Sequence, residues 1–525
     1  MKKFFTLIAL AVSSLSMMAK DYTGHLIIDV NGMPIEKDAN INIDKTDDGY
    51  TLTLKNFDIS LGSSQILVGT IQLDGVKFTT VDGLTTLSYN DDTTIKDGDD
   101  ERNYMMVGQT VPIEMTGRLT DNAFATTIDI NLGIMKVGVD FTTEGYQLPN
   151  SGFEDFHTDY YNKDKSDEKT SEVPNSWRSF MSCTGTMSEG FFGGYTKGSI
   201  HTYKSDDVRP GSTGKSSVKV VSLNALITSA NGTITTGRLN AGSGTPTDKT
   251  NNSFIDMSKT DVDQNGDPFY VKMAGKPDAL KVWVKYTVGD RSNKTKDNVY
   301  ATASAVITDG TYYQDPEADG ITYTNVVAKA KNEKIASNNS TWQELTIPFT
   351  YTGNKVAPKA ILITFSTCSV PGGGSMSDSN PDILLIDDIS LVYNAGVKSM
   401  KVKDNDINLI DGQTEYNVTA SGKVNADDIK VVSDGQGAII TKSLEDVDGG
   451  VKATVVVVSN DLKKANTYTI NIAGAATGIN KTETVRNNTV SAIYNANGQQ
   501  VSNMNQPGLY IIKNADGKTI KFLKK

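Results

Sequence analysis

Two adjacent carboxylates interrupt an apolar stretch late in the chain. Residues 381–393 are rich in Ile, Leu and Val, as is typical of a β-strand, and Asp387 and Asp388 lie within them. Side chains alternate along a strand, so the two acids, and likewise Ile386 and Ile389, should point to opposite faces. If both faces are partly covered, at least one carboxylate lies beside apolar packing and needs a metal ion, an arginine or backbone N–H groups as its partner. The alternative is a strand end with both acids in water.

Aromatic side chains in the same part of the chain could hold a ligand. Trp177 follows a turn-like Pro-Asn-Ser sequence, which predicts an exposed ring. Along residues 280–286, Trp283 lies opposite an aliphatic row, and Tyr286 has the parity of that row. Trp283 is either a platform for the apolar face of a sugar or part of a sandwich core, where aromatic residues are most often found. Trp342 is predicted to lie in the core.

Four motifs follow one another in this segment. They are Asn-Ser-Gly-Phe-Glu at 150–154, Pro-Asn-Ser-Trp at 174–177, the strand around Trp283, and the closing Ile-Asp-Asp-Ile at 386–389. In this order they resemble the galactose-binding-like jelly rolls of carbohydrate-binding modules and the carbohydrate metabolism domain of Bacteroidetes surface proteins. The resemblance implies a jelly-roll β-sandwich over residues 146–394 that binds glycan.

The ligand-binding residues that we predict for this sandwich are Trp177, Trp283 and Tyr286. Polar sugar contacts are expected in the loops at 191–201, 240–253 and 371–380, because binding residues concentrate in loops on a rigid scaffold. The glycan itself cannot be named from the sequence.

The same resemblance implies a structural calcium ion. In such jelly rolls the acid of Gly-Phe-Glu and an acid of the last strand join backbone carbonyls around the ion. The matching residues here are Glu154 and Asp387, with Asp388 as the alternative for the second. Hard oxygen donors suit Ca²⁺, which would tie the first and last strands together. The alternative is a surface cluster of acids at strand ends.

The N-terminal segment, residues 20–145, alternates apolar and polar residues through several short strands. This pattern predicts a sandwich or a closed barrel. Tyr22-x-Gly24, Asn56-Phe57 and the strand 137–141 resemble the calycin-like barrel domain of Bacteroidetes. An eight-stranded barrel can hold one small ligand or be filled by side chains, and the sequence does not choose between them.

Two smaller units follow. Residues 396–475 carry short strands split by Gly- and Asp-rich turns, which fits a small immunoglobulin-like sandwich and resembles the spacers of Bacteroidetes surface proteins. Residues 476–525 contain Asn-Gly at 497–498 and Asp-Gly at 516–517, which favour two β-hairpins. With Ile-Tyr-Asn, Pro-Gly-Leu-Tyr-Ile and a terminal basic pair, they resemble the C-terminal sorting domain of the type IX secretion system. That implies passage across the outer membrane by this machinery, removal of the tail and attachment to surface glycolipid.

Further features concern export and chemical class. Lys2 and Lys3, a short apolar run and small residues up to Ala19 have the form of a signal peptide, residues 1–19. No later stretch is apolar for ~18 residues, so no transmembrane segment is predicted. The net charge of −11 argues against nucleic-acid binding. Cys183 and Cys368 could pair, although buried free thiols are the expectation.

The chain is therefore predicted to be an exported, all-β surface protein whose central jelly roll binds glycan. One alternative is an enzyme that cleaves glycan with the same domain. Such an enzyme needs two carboxyl groups across a cleft, about 5–5.5 Å apart for retention or about 6.5–9.5 Å for inversion. The other alternative is a structural or adhesive protein without a specific sugar site.

Overall fold

The computed structural model describes residues 19–524 except 31–32, 62–63, 134, 226–227, 292–294, 296, 478–489, 496–498, 502–503, 505–507 and 515–518. The predicted signal peptide lies outside the described residues, apart from its last position. The described residues form 37 β-strands, three short 3₁₀ turns (Phe180–Ser182, Thr186–Ser188 and Ala426–Asp428) and one four-residue helix, α1 (Gly190–Gly193). The prediction of an all-β protein is confirmed. No helix among these residues has the length and apolarity to cross a membrane.

The N-terminal unit is a closed eight-stranded barrel. Its strands are β1 (Lys20–Val30), β2 (Met33–Thr46), β3 (Gly49–Leu61), β4 (Ser64–Val81), β5 (Leu84–Thr94), β6 (Thr110–Leu119), β7 (Phe124–Asn131) and β8 (Lys136–Thr142). Each strand pairs with the next, and β1 pairs antiparallel with β8, which closes the sheet. Alternate side chains, such as Leu26, Ile28 and Phe141, form one apolar cluster. The barrel alternative is therefore confirmed, and apolar side chains pack its interior.

The middle unit contains eighteen of the described strands. They are β9 (Phe156–Tyr161), β10 (Lys169–Pro174), β11 (Thr202–Ser205), β12 (Ser217–Val221), β13 (Leu223–Asn224), β14 (Ser229–Ala230), β15 (Thr233–Thr235), β16 (Arg238–Ala241), β17 (Asn251–Ile255), β18 (Val271–Lys272), β19 (Ala279–Thr287), β20 (Ala301–Thr308), β21 (Tyr313–Asp315), β22 (Val326–Ile335), β23 (Gln343–Pro348), β24 (Thr350–Tyr351), β25 (Ala360–Ser366) and β26 (Ile383–Val392). Two sheets, β11-β12-β26-β19-β23 and β15-β25-β20-β22-β24 with β18 beside β25, carry the core. Smaller pairings are β10-β9, β13-β14 and β16-β17-β21.

The core of the middle unit lies between its two large sheets. On β19 the alternating residues Leu280, Val282 and Val284 are fully buried, and they pack in one cluster with residues such as Ile363 and Phe365 of β25. Each sheet therefore has one apolar face turned toward the other sheet, as alternation predicts for a sandwich. The two cysteines of this unit, Cys183 and Cys368, are both buried free thiols, as expected.

The C-terminal units are a small sandwich and a single sheet. Their strands are β27 (Val397–Val402), β28 (Asn405–Ile407), β29 (Glu415–Val424), β30 (Ile429–Ser433), β31 (Ile439–Val447), β32 (Gly450–Val458), β33 (Ala465–Thr477), β34 (Val490–Asn495), β35 (Gln500–Val501), β36 (Gly508–Asn514) and β37 (Thr519–Lys524). Sheets β28-β27-β30 and β29-β33-β32-β31 share one core, with β29 and β33 parallel. The tail forms the sheet β35-β34-β36-β37. The predicted turns at Asn-Gly 497–498 and Asp-Gly 516–517 lie outside the described residues.

Candidate functional site

A β-bulge at Asp387 and Asp388 breaks the alternation of β26. In the pairing of β26 with β19, Lys281 lies opposite Ser390 and Trp283 lies opposite Asp387. The segment of β26 between these pairs is therefore one residue longer than the matching segment of β19. Asp388, within the longer segment, has a φ of +41°. The extra residue turns Ile386 and Ile389, both in the core, to the same side. The prediction that these two isoleucines face opposite sides is therefore wrong.

Arg209, in the loop between β11 and β12, contacts both acids of the bulge. Its backbone N–H donates to Oδ2 of Asp387 at 2.9 Å, and its Nε donates to Oδ2 of Asp388. Burial raises the pKa of Asp387 to about 6, against the opposing effect of the Arg209 N–H, and the nearby charge of Asp388 raises it further. Of the partners considered from the sequence, an arginine and a backbone N–H are the ones found here.

The same loop binds the third predicted calcium ligand, Glu154. The backbone N–H of Lys215 donates to its two oxygens at 3.0 and 2.9 Å, and that of Ser216 donates to Oε1 at 3.1 Å. Gly214 lies so close that a Cβ there would be 2.2 Å from Oε1 of Glu154. Successive backbone N–H groups in a loop form an anion-binding concavity, and here the anion is a carboxylate of the same chain.

The three predicted calcium ligands thus lie around one loop, but this arrangement does not fit a calcium ion. Backbone N–H donors face Glu154, and a guanidinium faces Asp388, so the oxygens that would bind the ion already accept hydrogen bonds. Within the described part of the chain, no group of three or more His, Cys, Asp or Glu residues is placed to hold a metal ion. Calcium remains a prediction.

Trp177 is buried, with 1% of its surface exposed. Its ring centre lies 5.2 Å from that of Phe153 and 6.3 Å from that of Phe365. The preceding turn is fixed by a hydrogen bond in which the backbone N–H of Ser176 donates to Oδ2 of Asp267 at 2.9 Å. The prediction of an exposed ring is wrong, since this turn directs the indole into the sandwich core.

Tyr286 also lies in the core, in the buried row of β19. Its ring has no exposed surface, and its hydroxyl donates to the carbonyl oxygen of Thr367 at 2.7 Å. A ligand on the protein surface therefore cannot contact Tyr286 in this conformation, and its prediction as a ligand-binding residue is corrected. The parity it shares with Leu280 already pointed to the core.

Trp283 lies on the outer face of the five-stranded sheet, half-buried. Its partners on the neighbouring strands are Asp387 of β26 and Glu344 of β23. The guanidinium carbon of Arg209 is 5.6 Å from the centre of the indole, within the range of a cation–π contact. The sequence left open whether Trp283 is a platform for a sugar or part of the sandwich core. The structure excludes the core position.

Charged groups around Trp283 are paired with one another. Nζ of Lys281 lies 2.7 Å from Oε1 of Glu344, and Nζ of Lys285 lies 2.6 Å from Oδ2 of Asp207. The indole N–H of Trp342 donates to Oδ1 of Asp207 at 3.0 Å. Trp342 is thus half-buried at this face, and its predicted core position is wrong. The indole of Trp283 is thus surrounded by hydrogen-bond donors and acceptors whose charges are balanced. The ring can contact the C–H groups of a sugar, and the surrounding groups can contact its hydroxyls.

The loops expected to carry sugar contacts meet at another edge of the sandwich. The hydroxyl of Thr186 donates to the carbonyl oxygen of Gly242, and a Cβ on Gly372 would lie 2.7 Å from Pro246. Within the loop at 191–201 the sequence reasoning missed two exposed phenylalanines, Phe191 and Phe192. The signal that could have found them is a Phe-Phe pair inside a glycine-rich run, Glu-Gly-Phe-Phe-Gly-Gly-Tyr.

Comparison with known proteins identifies the first unit. Residues 18–144 match the family model of the calycin-like beta-barrel domain, which confirms that prediction for the closed barrel. No curated protein matches the chain. A solved structure described as a "putative outer membrane protein" from Bacteroides fragilis is 11% identical, with 66% of this chain and 96% of that chain covered and a TM-score of 0.17. A TM-score this low supports no argument about fold or function.

Proposed function

We propose that this chain, whose residues 18–144 form a calycin-like β-barrel domain, is an exported surface protein that binds glycan through its middle sandwich. The observation that supports glycan binding is the half-buried indole of Trp283 on the outer face of the five-stranded sheet, surrounded by ion pairs. A sugar ring has an apolar C–H face and hydroxyl groups at its rim. The indole suits the face, and the paired lysines and acids suit the hydroxyls.

The Trp283 platform is held rigidly from one side. Arg209, which lies over the indole, is bound through its backbone to Asp387 and through its guanidinium to Asp388. The indole itself projects from the middle of a paired strand. A rigid platform loses little conformational entropy when a ligand binds, which favours affinity.

Binding is favoured over cleavage by the position of the one acid at this site with a strongly raised pKa. A general acid for glycoside hydrolysis needs a raised pKa, and the pKa of Asp387 is raised to about 6. However, the side chain of Asp387 has no exposed surface and lies beneath Arg209. A glycan on the Trp283 face could not receive its proton.

Replacement of Trp283 tests this function. Trp283→Ala in the full chain should weaken binding of the best ligand from a glycan array by ~1–3 kcal/mol, by analogy with the range for nucleic-acid bases that stack on aromatic side chains. Trp283→Tyr, which keeps a ring, should retain much of the affinity. Reducing-sugar release should be absent for wild type and both variants. Equal affinity for wild type and Trp283→Ala would contradict the platform, and sugar release would favour the enzyme.

Export is the second part of the proposal. It is supported by the sequence of residues 1–19 and by the tail, whose described strands β34–β37 form one antiparallel sheet with the hairpin order expected of a sorting domain. The partner would be the type IX secretion machinery, and the destination the cell surface.

A further inference from the structure

We infer that a second glycan contact lies on the loop between β10 and β11, at the exposed rings of Phe191 and Phe192 and the half-buried ring of Tyr195; this site rests on the glycan-binding function proposed above. Phe191 is 72% exposed and Phe192 is 45% exposed. The ring centre of Phe191 lies 5.5 Å from that of Phe192 and 5.6 Å from that of Tyr195. Adjacent apolar rings left in water are costly, and such a cluster marks a surface that binds a ligand.

The loop that carries this aromatic cluster is anchored on both sides of the rings. On one side, the hydroxyl of Thr186 donates to the carbonyl oxygen of Gly242 in the neighbouring loop. On the other side, the hydroxyl of Thr196 donates to the carbonyl oxygen of Met187 at 2.8 Å, which closes the loop on itself. The rings are therefore presented by a preformed loop, as a sugar-binding surface requires.

Charge decides what kind of ligand suits the cluster. Within residues 185–198 the charged side chains are Glu189 and Lys197, and they pair with each other at 2.6 Å. The loop thus has no net charge to attract an anionic membrane or an acidic macromolecule. A neutral sugar combines an apolar face for the rings with hydroxyls for the ion pair and the threonines. An uncharged oligosaccharide fits this surface best.

Ring geometry narrows the ligand further. The planes of Phe191 and Phe192 meet at 78°, and those of Phe191 and Tyr195 at 55°. Rings so inclined form a corner, which contacts one face and one edge of a single sugar, whereas the flat surface of a crystalline polysaccharide needs coplanar rings. The ligand class at this site is therefore a soluble, neutral oligosaccharide.

The test compares three variants of the full chain on an array of soluble neutral and acidic oligosaccharides, followed by titration of the best array ligand. Phe191→Ala with Phe192→Ala should weaken binding roughly five- to hundredfold. Phe191→Tyr with Phe192→Tyr keeps the rings and should keep most of the binding. Phe78→Ala removes a similarly exposed ring, 42% exposed, from the barrel and serves as the matched control, with binding unchanged. Equal melting temperatures would show that the loop variants fold.

Each other outcome has a defined meaning. Glycan binding that the double alanine variant leaves unchanged overturns this loop site and leaves the proposed function standing. Absence of glycan binding by the wild type overturns the proposed function, and the loop site with it. Loss of binding to phosphatidylcholine vesicles, or loss of self-association in sedimentation, without a change in glycan affinity would assign the rings to lipid or to a second copy and overturn the proposal. Preference for acidic over neutral oligosaccharides would overturn the ligand class.

Discussion

At the scale of single residues, Asp387 shows how a buried acid is accommodated. Its side chain is fully buried, and its oxygens accept the backbone N–H groups of Arg209 and Asp388, each at 2.9 Å. These bonds stabilise the ionised form, but the loss of hydration outweighs them, so the pKa rises to about 6. The bulge at Asp388 is what turns both acids toward the loop that carries Arg209.

This raised pKa predicts a pH-dependent stability. The pKa of Asp387 is about 6 in the folded chain and 3.8 for an ordinary Asp, so the native state binds more protons between these values. Its contribution to the free energy of unfolding therefore falls as the pH rises through this window and is constant above it. Asp387→Asn keeps an acceptor for Arg209 without the charge. The melting temperature of the variant relative to wild type should be highest near pH 7 and lowest near pH 4.

The comparison must be between variant and wild type, because His201 acts in the opposite direction. Burial lowers the pKa of His201 to about 4 from 6.5, so its contribution to stability rises with pH over much of the same range. The two effects partly cancel in the wild-type melting curve. A constant difference between wild type and Asp387→Asn from pH 4 to 7 would show that Asp387 is ionised throughout, against the buried position described above.

At the scale of elements, the loop from β11 to β12 joins the two ends of the middle sandwich. It binds Glu154 near the first strand and Asp388 in the last, and the backbone N–H of Ile389 donates to the carbonyl oxygen of Ser151 at 2.9 Å. This is the tie that calcium was predicted to provide, made by hydrogen bonds within the chain. In this structure, backbone N–H groups and a guanidinium are the partners of these carboxylates.

Addition of a chelator distinguishes hydrogen bonds of the β11–β12 loop from a calcium ion as the link between the first and last strands of the middle sandwich. If the loop alone holds the ends, EDTA should leave the melting temperature of the full chain unchanged, while Gly214→Ala, whose Cβ would lie 2.2 Å from the exposed carboxylate of Glu154, should weaken the hydrogen bonds to this carboxylate and destabilise the chain by about 0.5–1.5 kcal/mol. If calcium also binds, EDTA should lower the melting temperature, by RT ln(1 + [L]/Kd) in free energy, and Glu154→Gln should abolish that response. The measurement is thermal unfolding with and without chelator.

At the scale of the whole molecule, the barrel, the middle sandwich and the small sandwich meet at one junction. The backbone N–H of Gly145 donates to the carbonyl oxygen of Ala274 at 2.9 Å, and that of Lys276 donates to Oδ1 of Asn460 at 2.6 Å. A Cβ on Gly145 would lie 2.0 Å from the Cβ of Asp461, so a larger residue would force the units apart. Glycine at this position permits three chain segments to approach closely.

The small sandwich also packs directly on the barrel. Leu84 and Ala125 of the barrel share an apolar cluster with Val458 and Leu462. A guanidinium nitrogen of Arg118 donates to the carbonyl oxygen of Leu462 at 2.8 Å. Residues 396–475, predicted from the sequence to be a spacer, therefore contact both the barrel and the middle sandwich.

Removal of the tail tests export. β33 ends at Thr477 and pairs with β29 through its last residues, so a truncation after Thr477 spares the small sandwich. The truncated chain should accumulate in the periplasm, because the signal peptide would still direct it across the inner membrane but the sorting signal would be missing. Surface labelling of intact cells measures this. Labelling of the truncated protein at the level of the full chain would contradict a sorting role for residues 478–525.

Much of the fold was predictable from local pattern. Alternation of apolar residues marked the barrel strands and the buried row of β19, and short strands between Gly- and Asp-rich turns marked the small sandwich. Alternation has a period of two residues, so it can be recognised from the sequence of the strand itself. That is why the all-β class was predicted correctly, whereas alternation left a sandwich or a closed barrel open and the barrel was predicted from the resemblance to the calycin-like domain.

The site was decided by tertiary contacts. Glu154, Asp387 and Asp388 were singled out from sequence, but their partner Arg209 is 178 residues from Asp387 along the chain, and nothing in the sequence connects them. Trp177 and Trp283 are the same residue type in strand-rich segments, yet the turn at Ser176 directs one into the core, while the other lies half-buried on the outer face of the five-stranded sheet. Residue type and alternation determine which side chains share a face. Which face becomes buried, and which carboxylate meets a cation, depends on distant segments that pack only when the chain has folded.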